Sequence, residues 1–222
     1  MKRLLAALLV GTAVMATPAA AQEDDQGKVQ VKLLGTAVLP DGKITSVEVD
    51  TVGLPADTQT EANDNVVPTV AIEYFLTDNF SIETICCLTQ HDVDAVSGLP
   101  GAELVADAKL IPATVTGKAH IDLGSVKPYV GAGVTYFLWV DVDPGAAVAS
   151  AITKTDLSDE FGFVLQGGVD VPINDKGLGL TLDAKKYFVG TTASWYDGST
   201  LVIETEHDLD PWVLSAGVSY RF

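Results

Sequence analysis

Residues 66–90 read VVPTVAIEYFLTDNFSIETICCLTQ, and this stretch decides the fold. Val66, Val70, Ile72 and Tyr74 share one face, opposite Thr69, Ala71 and Glu73. After Thr77-Asp78-Asn79 the pattern resumes, with Phe80, Ile82, Cys86 and Leu88 opposite Ser81, Glu83 and Thr89. Side chains along a strand point alternately to its two faces, so each run is a strand with one apolar and one mixed face. Thr-Asp-Asn between them has the composition of a tight turn. The stretch therefore predicts an antiparallel hairpin.

Working outward, six more segments repeat the pattern. Val29, Val31, Leu33, Ala37 and Leu39 share a face upstream of the hairpin. Downstream, Ile111, Ala113 and Val115 oppose Thr114, Thr116, Lys118 and His120. Val130, Ala132, Val134, Tyr136 and Leu138 oppose Gly131, Gly133, Thr135 and Phe137. Phe161, Phe163 and Leu165 oppose Gly162, Gln166, Gly168 and Asp170, and Leu178, Leu180 and Leu182 oppose Thr181, Asp183 and Lys185. In the last segment Trp212, Leu214, Ala216, Val218, Tyr220 and Phe222 oppose Ser215, Ser219 and Arg221. The connections alternate as well. Residues 77–79, 122–125 and 174–176 are short, whereas 40–65, 90–107, 141–158 and 190–210 are long. Short turns on one side and long loops on the other are the signature of an outer-membrane barrel, here with eight antiparallel strands, three short periplasmic turns and four long outer loops.

Alternation alone fits a barrel with either face outward. Charges fall consistently on the mixed face, where two strands are also rich in glycine, and the chain ends on the aromatic Phe222. These features place the apolar face in lipid. Closure of the sheet then pairs every backbone group, as hydrocarbon requires. The N-terminus fits export: Met1-Lys2-Arg3, an apolar run from Leu4 to Val14 and Ala19-Ala20-Ala21 have the form of a secretory signal peptide. Residues 1–21 are read as that leader and 22–222 as one barrel domain in the outer membrane of a Gram-negative cell.

The net charge of −17 opposes nucleic-acid binding, which needs a cationic surface. The acids concentrate in the long connections, among them Asp41, Asp50, Asp57, Glu61, Asp64, Glu204, Glu206, Asp208 and Asp210. They are either solvated loop charge or holders of divalent cations among lipopolysaccharide phosphates. Cys86 and Cys87 are adjacent and cannot staple distant segments.

Several stretches carry a more specific likeness: Val66-Val67-Pro68-Thr69-Val70 through Tyr74-Phe75-Leu76-Thr77-Asp78-Asn79; Leu88-Thr89-Gln90-His91-Asp92-Val93; Lys127-Pro128-Tyr129-Val130-Gly131-Ala132-Gly133-Val134; Phe161-Gly162, Gln166-Gly167-Gly168-Val169-Asp170 and Asn174-Asp175; and Asp210-Pro211-Trp212-Val213 with Tyr220-Arg221-Phe222. In order and spacing these resemble the OmpW family of outer-membrane proteins over nearly the whole chain after the leader. The resemblance implies an eight-stranded barrel whose narrow interior has a hydrophobic upper channel. It also implies passage of small hydrophobic molecules, with lateral release into the bilayer. The chain departs from the family at Cys86-Cys87 and in its long outer loops, which carry specificity.

The inward apolar residues Ile85, Cys87, Phe137, Trp139 and Val164 are the candidate channel lining. They either bind an apolar solute or fill a barrel with little interior room. Inward charges of both signs, Glu73, Glu83, Lys118, Asp170, Asp183, Lys185 and Arg221, predict a salt-bridged luminal plug more readily than an ion filter. Pro68 and Pro112 lack a ladder donor and mark either a lateral seam or simple strand ends.

His91 with Asp92 and Asp94 is too sparse for a metal centre, and no metal or cofactor is implied. Trp195-Tyr196 is read as a surface anchor or part of a lid. The scattered histidines and the lack of a G-x-S-x-G stretch speak against an enzyme. Expected partners are membrane lipid and lipopolysaccharide, small hydrophobic solutes and, through Phe222, the barrel-assembly machinery. The rival reading is a closed structural or stress-related surface barrel whose outer loops bind partners.

Overall fold

The computed structural model describes residues 27–222; the leader expected at residues 1–21 lies outside them. In chain order the strands are β1 Val29–Leu39, β2 Lys43–Asp50, β3 Gln59–Ala62, β4 Asn65–Thr77, β5 Phe80–Cys86, β6 Thr89–Ser97 and β7 Glu103–His120. They continue with β8 Lys127–Pro144, β9 Lys154–Leu157, β10 Glu160–Pro172, β11 Leu178–Phe188, β12 Gly190–Asp197, β13 Thr200–Asp208 and β14 Trp212–Arg221.

The wall closes on itself. β1 pairs with β14 and β4, β4 with β5, β5 and β6 with β7, and β7 with β8; β8, β10, β11 and β14 complete the circuit. All these pairings are antiparallel. β5 and β6 lie end to end and share one position, so the barrel has eight staves. The turns use the chemistry expected of them. Thr77 Oγ1 accepts from the backbone N–H of Asn79 and Phe80, and Asn174 Oδ1 accepts from Lys176 and Leu178.

Exposure settles the orientation of the faces. Phe161, Phe163 and Val130 are 78%, 70% and 68% exposed on the outside, while Glu73 on the inside is 0% exposed. An outward apolar belt around a polar interior is the arrangement of a membrane barrel.

The long connections differ from the loops expected of them. β3 extends the wall by pairing with β6, while β2, β13, β12 and β9 form a second, four-stranded sheet. These segments have their own apolar face, and Ala95, Leu104, Val105, Ala108, Ile152, Ala193 and Trp195 form a core above the barrel. Trp195 is therefore not a surface anchor. It is 4% exposed, and its indole N–H donates to the Leu104 carbonyl.

Candidate functional site: an apolar cavity above a charged plug

Seven ionisable side chains meet in the lower lumen. Lys32 Nζ lies 2.7 Å from Glu73, 3.1 Å from Glu83 and 3.5 Å from Asp170. Lys118 Nζ is 3.0 Å from Glu73 and 2.9 Å from Glu83. Lys185 Nζ is 3.2 Å from Glu83 and 2.7 Å from Asp183. Uncharged groups fill the remaining valences. Gln166 donates to Glu83 and Asp183, Tyr129 Oη donates to Asp183, and Ser81 donates to Glu73. His120 Nε2 sits 3.0 Å from Glu73, and the Lys118 ammonium lies 3.8 Å from the Tyr129 ring centroid. A buried charge is tolerated only when paired and hydrogen-bonded, and this network meets both conditions.

The glycines explain how such bulk fits within eight strands. A Cβ on Gly168 would stand 2.4 Å from the Tyr129 hydroxyl, and one on Gly131 3.0 Å from Lys118 Cγ. Bare backbone at these points leaves space for the plug's side chains.

Of the charges expected in the plug, Glu73, Glu83, Lys118, Asp170, Asp183 and Lys185 are brought together and Arg221 is not. It stands at the periplasmic end, with its guanidinium 3.7 Å from the Phe75 ring centroid, 3.8 Å from Asp78, and its Nε donating to the Gly27 carbonyl. Two residues below the mixed stretch of the last strand, it has run past the lumen into the mouth. Lys32, Gln166 and Tyr129 are plug residues that the charge inventory overlooked. Lys32 stands out only by register, as a charge alternating against Val31 and Leu33.

Above the plug lies a cavity of about 60 Å³. A single water needs roughly 10–15 Å³ on this measure, so the space is a narrow slot. Ile85, Cys87, Phe137 and Trp139 line it; Lys185 and Tyr187 form its floor. Val164 does not reach the slot. It is buried within the wall cluster that contains Phe137 and Tyr187, because Gly133 and Tyr187 flank it across the ladder. A separate vestibule opens below, lined by Gln30, Phe75, His120 and Asp170, with the plug between the two spaces.

His91 and His207 both face the upper slot. His91 Nδ1 is 2.7 Å from the Asn63 carbonyl and its Nε2 is 2.8 Å from Thr89 Oγ1. His207 repeats the arrangement with the Gly42 carbonyl at 3.2 Å and Thr205 Oγ1 at 2.7 Å. A carbonyl only accepts, so Nδ1 carries the proton in each ring and Nε2 accepts from threonine. Burial holds both imidazoles below the ordinary histidine value.

The wall is interrupted beside the slot. Pairing of β4 with β5 stops at Val70↔Cys86, and pairing of β5 with β7 stops at Ile85↔Thr114. It resumes at Thr89↔Leu110 on β6. Continued in register, the break would set Pro68 opposite Leu88 and Pro112 opposite Cys87. Pro68 faces outward and Pro112 lines the slot. The Asn65 amide bridges the break by donating to the Gln90 carbonyl at 2.7 Å.

Comparison with known proteins adds four findings. The model of the OmpW family matches residues 25–222. An uncharacterised outer-membrane protein, y4mB of Sinorhizobium fredii, is 31% identical over 88% of this chain and 79% of its own. The dibenzothiophene metabolism operon protein PahQ of Pseudomonas aeruginosa is 25% identical over 73% of this chain and 74% of its own. Among solved structures, the outer-membrane protein OprG of Pseudomonas aeruginosa superposes with a TM-score of 0.79 at 23% identity, covering 89% of this chain and 96% of that one.

Proposed function

The chain belongs to the OmpW family and is an outer-membrane β-barrel, and from that premise we propose that it is a passive conduit for small hydrophobic solutes, releasing them sideways into the bilayer. The observation that carries this reading is the adjacency of three features: an apolar slot, a charged floor that obstructs straight passage, and a break in the wall at the level of the slot. A solute entering from the outer sheet loses water contact against Phe137 and Trp139. Burial of apolar surface is worth roughly 25 cal/mol per Å², which favours entry without an energy source. The plug offers an apolar molecule nothing, whereas the seam between Pro68 and Pro112 opens toward lipid. The name of the relative PahQ, which refers to metabolism of an apolar aromatic compound, accords with this reading.

Uptake of a hydrocarbon and a sugar of similar size, in cells with and without the protein, tests it. Faster entry of the hydrocarbon alone is expected; equal rates in both cell types overturn the reading. The narrowness of the slot favours one alternative, a closed surface barrel whose outer sheet binds partners. That alternative predicts no change in either uptake.

A further inference from the structure

Two polar atoms on the wall of the slot stand out. Among the described residues, buried side-chain atoms of Gln30, Gln59, Thr69, Trp139 and Thr155 have no hydrogen-bond partner, and two of these residues, Trp139 through Nε1 and Thr69 through Oγ1, line the slot. Buried polar groups are nearly always paired. Two of these exceptions belong to the lining of one cavity, and a ligand that visits it would supply their partner.

The rest of the polar lining is already committed. Thr36 Oγ1 pairs with Ser215, Thr60 donates to the Gly42 carbonyl, and Thr191 donates to the Ser158 carbonyl. Tyr187 Oη meets Thr114, and Trp195 donates to the Leu104 carbonyl. Both histidines are satisfied at both nitrogens. Thr69 and Trp139 are left with uncommitted donors, and an indole N–H can only donate.

The two stand on different staves. Continued in register, Thr69 shares a row with Pro112 and Phe137, and Trp139 stands two residues higher along β8. Two residues of strand rise about 7 Å, and the three strand spacings from β4 to β8 add about 14 Å around the wall, so the two donors serve successive points on a solute's path. Thr69 lies where the β4–β5 ladder ends, at the seam, so the two donors mark the slot and its side exit.

The floor limits the charge of the visitor. Lys185 is matched by Asp183 and Glu83, and the plug sets four carboxylates against three ammonium groups, those of Lys32, Lys118 and Lys185. A carboxylate ligand would face a floor with no cation to spare.

We infer that the slot selects neutral oxygenated solutes, an apolar chain or ring carrying a carbonyl or hydroxyl oxygen, over both the bare hydrocarbon and the carboxylic acid anion. This deepens the conduit reading and rests on it for the direction of transport.

Two measurements separate the inference from that reading. In cells, initial uptake of octane, 2-octanone and octanoate is compared with and without the protein. The protein-dependent rate is expected to be highest for 2-octanone. Trp139→Phe and Thr69→Val should each lower the ketone-to-octane ratio several-fold toward one. A ratio near one in the parent protein, or one that neither variant moves, overturns the inference. In lipid nanodiscs, the indole N–H resonance of Trp139, assigned by its disappearance in Trp139→Phe, should shift with 2-octanone and stay in place with octane and octanoate. An unmoved resonance at saturating ketone overturns the inference whatever the uptake result. A shift without protein-dependent uptake upholds the selectivity and sinks the conduit.

Discussion

Tyr187 reaches from β11 across the lumen to Thr114 of β7, hydroxyl to hydroxyl at 3.3 Å, and its ring lies 5.8 Å from that of Phe137. It is a crossbar between the apolar slot and the charged floor. Removing it in Tyr187→Ala should cost about 3–5 kcal/mol, as large aromatic truncations do. Because the salt bridges beneath are untouched, sugar uptake should remain at the level of cells lacking the protein. Thermal unfolding and the sugar assay check the two halves; a sugar leak would show that the crossbar, not the plug, closes the lumen.

Glu83 is the hub of the plug, within 3.2 Å of three lysine ammonium groups. Glu83→Gln leaves Lys32 and Lys118 to Glu73 and Lys185 to Asp183, so the cost should approach but not exceed the roughly 3–5 kcal/mol of a buried charge left with no partner. Asp78→Asn, at the exposed contact with Arg221, should cost no more than about 1 kcal/mol. Urea unfolding of both variants in the same lipid makes the comparison. Equal effects would mean that the plug is better solvated than its geometry implies.

Restoring a backbone donor at the break should close it. Pro68→Val with Pro112→Val allows the ladder to continue past Cys86, which predicts a higher unfolding temperature and several-fold slower uptake of an apolar solute. Unchanged uptake in a stabilised double variant would remove the seam from the pathway.

The two Thr-x-His pairs of the outer region predict a pH response. Above about pH 6.5 the imidazoles are neutral in both folded and unfolded chains. Below it the unfolded chain takes up protons that the buried rings resist, so stability falls until the depressed folded values are passed. Asp92 and Asp64 oppose the shift at His91 without cancelling it. Protection factors of amides in β3 and β13, with the intrinsic pH dependence of exchange divided out, should fall between pH 7 and 5, and His91→Gln with His207→Gln should flatten that dependence. Protection factors independent of pH in the parent protein would count against buried neutral rings.

The barrel was legible in the sequence because period-two alternation sorts residues between lipid and lumen, and both solvents leave a compositional mark. The outer sheet was not. Segments such as Thr191 to Tyr196 and Leu201 to His207 alternate over too few residues, amid too many acids, to separate from loop. Trp195 looked like a surface residue because nothing local announces the core it enters. The plug was legible through its charges, yet Arg221 shares their parity while lying at the wrong depth, and depth is set by strand register rather than by alternation. The slot's two unpaired atoms were invisible, since being without a partner is a property of neighbours from other strands.

The ion pairs of the plug are buried at both partners, Lys118 and Glu73 each at 0% side-chain exposure. Salt screens exposed charges over about 8–10 Å but barely reaches interior pairs. A lumen sealed in this way should leak no more in brine than in fresh water. Under the proposed conduit, additional copies would raise the permeability of an envelope to oily molecules without raising its permeability to ions or hydrophilic poisons, and abundance would become a variable that a cell can adjust freely.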